Sequence, residues 1–487
     1  MPRPLLLAAL ALALGACASA PPNAPLARYD AGAGYRYDNL AADGNGDDLF
    51  VILAFSGGGT RAAAFAFGVM EGLRDAVYHA GGGERRLLQD VDVISSVSGG
   101  SFTAAYYALF PDTFFAAFPD AFLYRDIQGE LIGRALRPWN WLRLGDRIRL
   151  ALELYDETIF QARTFADLKR KPFLILNATD MTLGRRFEFT QEQFDLLCSD
   201  VGTTPIAAGV AASSAFPGLL SPLTLENFAA RGCGFTRPEW LDSALDREHN
   251  PLERFARARD LWSYQDPGQP RPYVHLLDGG LADNIGLRGP SVALRSGTDV
   301  EWSVLRRINA GTVQRVVVVT ANAKTKPRHD WDAHPGAPGL LSVLGFVASG
   351  PMDNYSFDTV NLVREFFREQ TQEYDAFESC RATLKESCPS AVSDTVLTPV
   401  DYHAVEVSFE GASPRVQRCL EELPTSFALD RAQVDLLRQA GRAILLTSRD
   451  FGRAMRAIDP AWQPPSTVIE PTVVDAACPP PAAGVPR

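Results

Sequence analysis

With 487 residues, 46% of them hydrophobic and 22% charged, the chain has the composition of a folded protein with a large core, and general disorder is excluded. A net charge of −11 excludes the concentrated basic surface that nucleic acid requires, so any contact with lipid is expected to be chiefly hydrophobic.

In chain order, residues 1–17 read as an export signal. Arg3 supplies a charged start, residues 5–14 form an apolar run too short to span a bilayer, and Gly15-Ala16-Cys17 follow. Small residues before a cysteine resemble a bacterial lipobox, so Cys17 is the expected lipidation site. The expected location is then the cell envelope, anchored by lipid, with the outer membrane favoured over the inner. Residues 18–48, rich in Ala, Gly, Pro, Asn and Asp, read as a flexible tether. Asp43-Gly-Asn45-Gly-Asp47 imitates the start of a calcium loop, but Asp48 and Ala54 stand where glycine and glutamate are needed.

From residue 49 the pattern is that of an α/β fold. Apolar strands are expected at 49–55, 91–97, from 173, and at 274–277 and 315–320, with a half-exposed strand at 186–190 and helices at 62–77 and 102–109. Strands alternating with helices predict a mostly parallel central sheet with helices on both faces. Residues 326–465 read as a less regular part of the same domain, with an alternating strand at 402–409 and a capped helix at 430–446. The proline-rich tail, 466–487, reads as loose. Besides Cys17 there are six cysteines, which permit 15 pairings, and Cys380 with Cys388 is the easiest local loop to close. None has the spacing or the histidine companions of a metal site, and no cofactor is expected.

Three motifs carry chemistry. Gly57-Gly58-Gly59-Thr60-Arg61 follows a strand and opens a helix, where free amides favour negative charge. It lacks the lysine ending of a phosphate loop and the spacing of a dinucleotide loop, which leaves an oxyanion hole or a close-packed turn. Ser96-Val97-Ser98-Gly99-Gly100 lies between a strand and a helix, the setting of a nucleophile elbow, with Ser96 in place of the usual glycine. Asp278-Gly279-Gly280 ends another strand. By itself it is a turn; what raises its weight is that all three motifs are expected at the C-terminal edge of one sheet, where open α/β folds build their sites.

These motifs, in this order, resemble the patatin-like phospholipase family, and the likeness extends to Asn177-Ala178-Thr179-Asp180 and to residues 211–217. It covers roughly residues 50–325. The resemblance implies a three-layer α/β/α fold and a lipid acyl hydrolase of the phospholipase A or lysophospholipase kind. It also implies a Ser98–Asp278 dyad, a glycine-rich oxyanion hole at Gly57 to Gly59 with Arg61 bracing it or aiding the oxyanion, and a phospholipid or other acyl-ester substrate. An aspartate with a reference pKa of about 3.9 is a weak base for serine, so partial desolvation is expected to raise it.

Two other readings remain. One is a Ser-His-Asp hydrolase using His329, His334 or His403, all downstream of Asp278; His403 reads as a strand residue and the other two as loop residues. The other is a lipid-binding lipoprotein without turnover. Trp139-Asn-Trp141-Leu142, with Arg143, Arg147 and Arg149, reads first as helix packing and second as a membrane-facing element or lid.

Overall fold

The computed structural model describes residues 20–41, 48–326, 335, 339–388 and 399–479, apart from the side chains of 141–144 and 340–356. Cys17, His329 and His334 lie outside the described residues. The N-terminal half contains β1 (Ala24–Pro25), β2 (Leu49–Phe55), α1 (Gly59–Asp75), the hairpin β3 (Val77–Ala80) and β4 (Gly83–Arg86), then β5 (Val91–Val97) and α2 (Gly99–Leu109). There follow β6 (Phe173–Asp180), β7 (Arg185–Glu188), β8 (Ser199–Asp200), α3 (Ile206–Ser213), β9 (Leu223–Glu226) and β10 (Tyr273–Asp278). The rest brings β11 (Arg315–Asn322), α4 (Leu340–Ser387), β12 (Asp401–Ser408) and α5 (Arg431–Thr447), with shorter helices between.

Eight strands form one mixed sheet in the order β12-β11-β2-β5-β6-β10-β9, with β7 also paired to β6. The strands from β12 to β6 run parallel, whereas β7 and β10 are antiparallel to β6, and β9 to β10. Helices cover both faces. This is why β2, all seven residues of it buried, reads as a continuous apolar run rather than an alternating one. The alternation in β12 marks an edge strand, with Val405 and Val407 buried between half-buried neighbours.

Helix α1 owes its form to a run of alanines and its burial to neighbours on several sides. Gly68 lets α5 approach: a methyl group there would lie 2.0 Å from the carbonyl oxygen of Arg438. Arg438 and Arg442 of α5 then pair with Glu71 and Asp75 of α1 at 3.0 and 2.7 Å. Asp430 caps α5 as expected, its N–H donating to Gln433 Oε1.

The structure corrects four expectations. Residues 20–41 are not a free tether, because β1 pairs with β8 and Tyr35 and Tyr37 are buried in the core. The Tyr35 hydroxyl donates to Leu174 O and accepts from Leu174 N, and Arg36 pairs with Asp195 at 2.6 Å. The polar composition concealed aromatic anchors. The region after 326 is more regular than expected, since α4 packs on β12 and β12 joins the main sheet. The tail is held through residue 479, where the helix Pro471–Ala477 buries Val474 and Cys478 bonds to Cys419.

The fourth concerns the cysteines. The disulfides are Cys198–Cys233 and Cys419–Cys478, while Cys380 and Cys388 are free and exposed. Cys380 lies in α4 and Cys388 caps its C-terminus. Eight residues of helix rise about 12 Å, too far for a bridge that needs Cα atoms within about 7 Å. Among the described residues no helix is long and apolar enough to cross a membrane. Thiol-reactive labelling of the native protein, mapped by mass spectrometry, should modify Cys380 and Cys388 and leave Cys198, Cys233, Cys419 and Cys478 protected until reduction. Replacing Cys198 and Cys233 by alanine should cost roughly 2–4 kcal/mol, read from denaturant unfolding.

Candidate active site

The three motifs meet, but not by the route their order along parallel strands suggests. Strand β5 runs parallel to β6 and ends with Val97 opposite Asn177. Strand β10 runs antiparallel to β6 and ends with Asp278 opposite the next residue, Ala178. The two chain ends therefore converge from opposite directions on adjacent residues of one strand. This corrects the expectation that all three motifs share the C-terminal edge of parallel strands; β2 and β5 do, and β10 arrives from beyond it.

Ser98 sits in the turn between β5 and α2 with φ 50° and ψ −121°, a backbone conformation L-residues rarely adopt. Its N–H donates to Ser213 Oγ at 2.9 Å, and Ser213 Oγ donates to Asn177 O at 2.7 Å. Gly99 must be glycine, because a Cβ there would lie 2.0 Å from the carbonyl oxygen of Gly59. The elbow thus presses against the glycine-rich loop. Ser96, fully buried, fits where glycine is usual because its hydroxyl accepts from Ser101 Oγ at 3.2 Å and lies 3.5 Å from Ile175 O.

The Ser98 hydroxyl donates to Asp278 Oδ2 at 2.8 Å, and the other carboxylate oxygen accepts from Gly280 N at 2.8 Å. Both side chains are buried. Burial pushes the Asp278 carboxyl up to about 6, against the opposing pull of the Gly280 amide and the Ser98 hydroxyl. Main-chain contacts fix the aspartate: its N–H donates to Ala215 O, and Thr179 Oγ1 donates to its carbonyl at 2.8 Å. Gly279 N donates to Ser213 O, so the turn after β10 is tied to the end of α3.

Within the glycine-rich loop the residues separate into different roles. The Gly57 N–H already donates to Asn284 O at 3.0 Å, which corrects its assignment as an oxyanion donor. Gly58 and Gly59 both have positive φ, and no described residue accepts from their N–H groups. Arg61 is buried and braces the loop: Nε donates to Ala323 O and Nη1 to Leu423 O. Of the two expected roles, these bonds are those of a brace on the loop's backbone.

Sequence reading gave no role to Ser213, Asn177, Thr179 or Asn284, although the first three lie in segments it had marked. Asn177 Nδ2 donates to Ser95 Oγ and Ser96 O, and Ser95 Oγ donates to Gly286 O. Buried Asp283 accepts from Gly286 N and Arg288 N, shaping the loop that carries Asn284 to Gly57. The string Asp278-Gly-Gly-Leu-Ala-Asp283-Asn284 held this signal in its polar ending. His403 lies on β12, at the far edge of the sheet from β10; burial lowers its pKa, and Nε2 has no partner among the described residues. No histidine among the described residues bonds to Ser98 or Asp278. Nor do the described residues contain a group of three His, Cys, Asp or Glu placed to hold a metal ion.

Comparison with known proteins follows this geometry. Residues 53–290 match the family model of patatin-like phospholipases, a span containing Ser98, Asp278 and the glycine-rich loop. No curated protein matches the chain. Among solved structures, human GIVD cytosolic phospholipase A2 is similar at 12% identity and a TM-score of 0.40, over 88% of this chain and 63% of that one. VipD from Legionella pneumophila is similar at 11% identity and a TM-score of 0.25, over 83% of this chain and 70% of its own. The chain thus spans about 63% of the human enzyme structure's length. The architecture rests on the strand order above rather than on these distant likenesses. Residues 53–290 of this chain are a patatin-like phospholipase domain.

Proposed function

We propose that the chain is a serine acyl-ester hydrolase for phospholipids or related lipids, with Ser98 as nucleophile and Asp278 as general base. The observation that carries this reading is the 2.8 Å hydrogen bond from Ser98 Oγ to a buried Asp278, made by a serine with positive φ. The family supports lipid hydrolysis as the class of reaction; the roles of individual residues are our reading.

In acylation, Ser98 Oγ bonds to the ester carbonyl carbon while its proton passes to Asp278 Oδ2, and the carbonyl π pair moves to oxygen. The Gly58 and Gly59 amides supply donors for that oxyanion, each worth roughly 10²–10³ in turnover in comparable sites. Collapse breaks the bond to the alcohol, which leaves with the proton from Asp278. Water then repeats the sequence on the acyl-serine, and Asp278 again takes and returns a proton. Burial serves this directly: a carboxyl raised to about 6 is a stronger base than an exposed aspartate and is still ionised at neutral pH.

A fluorophosphonate probe, with hydrolysis of a short-chain p-nitrophenyl ester, tests the pair. Labelling should vanish in Ser98→Ala and turnover in both Ser98→Ala and Asp278→Asn. Labelling that persists in folded Ser98→Ala would place the nucleophile elsewhere. An unlabelled, inactive, folded wild type would favour lipid binding without turnover. Equal loss of activity on replacing His329, His334 or His403 would favour the triad.

The pH dependence follows from Asp278. Only its ionised form accepts the serine proton, so kcat/KM should fall about tenfold per pH unit below about 6. For stability the sign is reversed. A carboxyl raised from 3.8 to about 6 in the folded state gains stability as pH falls through that window, and its ionised form costs up to about 3 kcal/mol at neutral pH. Asp278→Asn should therefore unfold at a higher temperature than wild type at pH 7 while being inactive. Ser213→Ala, which removes the hydroxyl between Ser98 N and Asn177 O, should lower kcat about 10–100-fold with KM little changed.

A further inference from the structure

One segment carries apolar surface that the fold does not use. It comprises the helix Ile127–Ala135, the turn Pro138–Asp146 and the helix Arg147–Tyr155. Ile127 and Leu131 face the core, whereas Ile132, Leu136 and Trp139 are 50%, 68% and 71% exposed. Ile132 and Leu136 stand four residues apart at the end of the first helix, and Trp139 follows at the start of the next turn, beyond the extended Arg137. The segment is held in place: Asp126 caps the first helix through Gly129 N at 2.7 Å, and Asn140 Nδ2 donates to Arg134 O at 2.8 Å.

Three contacts set where this arm stands. At its start, Gln128 N donates to Phe427 O, and the preceding Ser426 O accepts from Thr60 N of the glycine-rich loop. Farther along, Arg147 Nε donates to Leu219 O at 3.0 Å, four residues after Ala215, whose carbonyl holds Asp278 N. The arm is therefore tied to the segments that touch both halves of the candidate site. Third, Arg149 Nη1 donates to Ala20 O at 3.3 Å. Ala20 is three residues from Cys17, and three extended residues span at most about 11 Å.

We propose that this arm is the face that seats on a phospholipid bilayer, with Ile132, Leu136 and Trp139 entering the interfacial layer and an acylated Cys17 meeting the same surface. The proposal rests on the lipid-hydrolase reading for its purpose. An acyl anchor holds the chain at the membrane, and an apolar face beside it fixes which side of the protein meets the lipid. Arg137, exposed between Leu136 and Trp139 with no ion pair among the described residues, suits a lipid phosphate. A second copy of the chain is a poorer occupant, because the three exposed apolar side chains of the arm among the described residues fall well short of the roughly 800 Å² per partner that stable interfaces bury.

The test uses the full chain carrying Cys17→Ser, so that no acyl anchor contributes, with and without Leu136→Asp and Trp139→Ala. Flotation with phosphatidylcholine vesicles should fall at least about tenfold in the doubly substituted arm, together with hydrolysis of vesicle lipid. Fluorophosphonate labelling and turnover of the short-chain ester should stay within about twofold. Equal flotation of both proteins overturns the proposal, as does a concentration-dependent dimer that the substitutions abolish without any change in flotation. Vesicle binding that depends on the arm, in a chain that neither labels nor turns over ester, would leave the docking face standing and remove the hydrolase reading.

Discussion

The site depends on one constraint: a serine hydroxyl and a buried carboxylate are held 2.8 Å apart. Meeting it takes strands of opposite direction, because β5 delivers Ser98 and β10 delivers Asp278 against consecutive residues of β6. Strand β6 extends past the end of β5, and that overhang gives β10 its place to pair. Shortening it would leave Asp278 without either its register or the Thr179 hydroxyl that holds its carbonyl.

A strained turn and a desolvated carboxyl are both unfavourable, each on the order of a few kcal/mol, and they persist only where the surroundings overdetermine them. Here the surroundings are small polar side chains joined by hydrogen bonds. Ser213 bridges Ser98 N and Asn177 O; Asn177 reaches Ser95 and Ser96; Ser95 holds Gly286, whose loop brings Asn284 O to Gly57 N. Glycine loop, elbow and aspartate turn are thereby one hydrogen-bonded body. That body offsets the strain at Ser98.

Outside this body the sheet is enclosed by elements from both ends of the chain. The N-terminal segment lays Tyr35 and Tyr37 under the sheet and fastens itself through Arg36 to Asp195. The C-terminal part supplies β12, then α5 against α1, and closes with the Cys419–Cys478 bond. Ser426 presents its carbonyl to Thr60 N, so the last third of the chain also supports the loop. Among the described residues, β12 and α5 after residue 325 pack on β11 and α1 before it.

The sequence by itself determined what is written within a few neighbouring residues. Apolar runs placed β2 and β5 at their observed bounds, alternation marked β12 as a strand, and Asp430 announced α5. The glycine spacing around Ser98 and the turn after Asp278 marked both members of the pair. What only the tertiary structure decided depends on residues far apart: the antiparallel direction of β10, the bond from Gly57 N to Asn284, the seat of Ser98 N on Ser213, and the partners of Cys198 and Cys419. Periodicity and turn chemistry report whether a segment prefers helix, strand or turn, because those preferences arise from a residue's own backbone and its nearest neighbours. Which segment it then meets, and in which direction, is settled by packing across the whole core, and no local pattern carries that information.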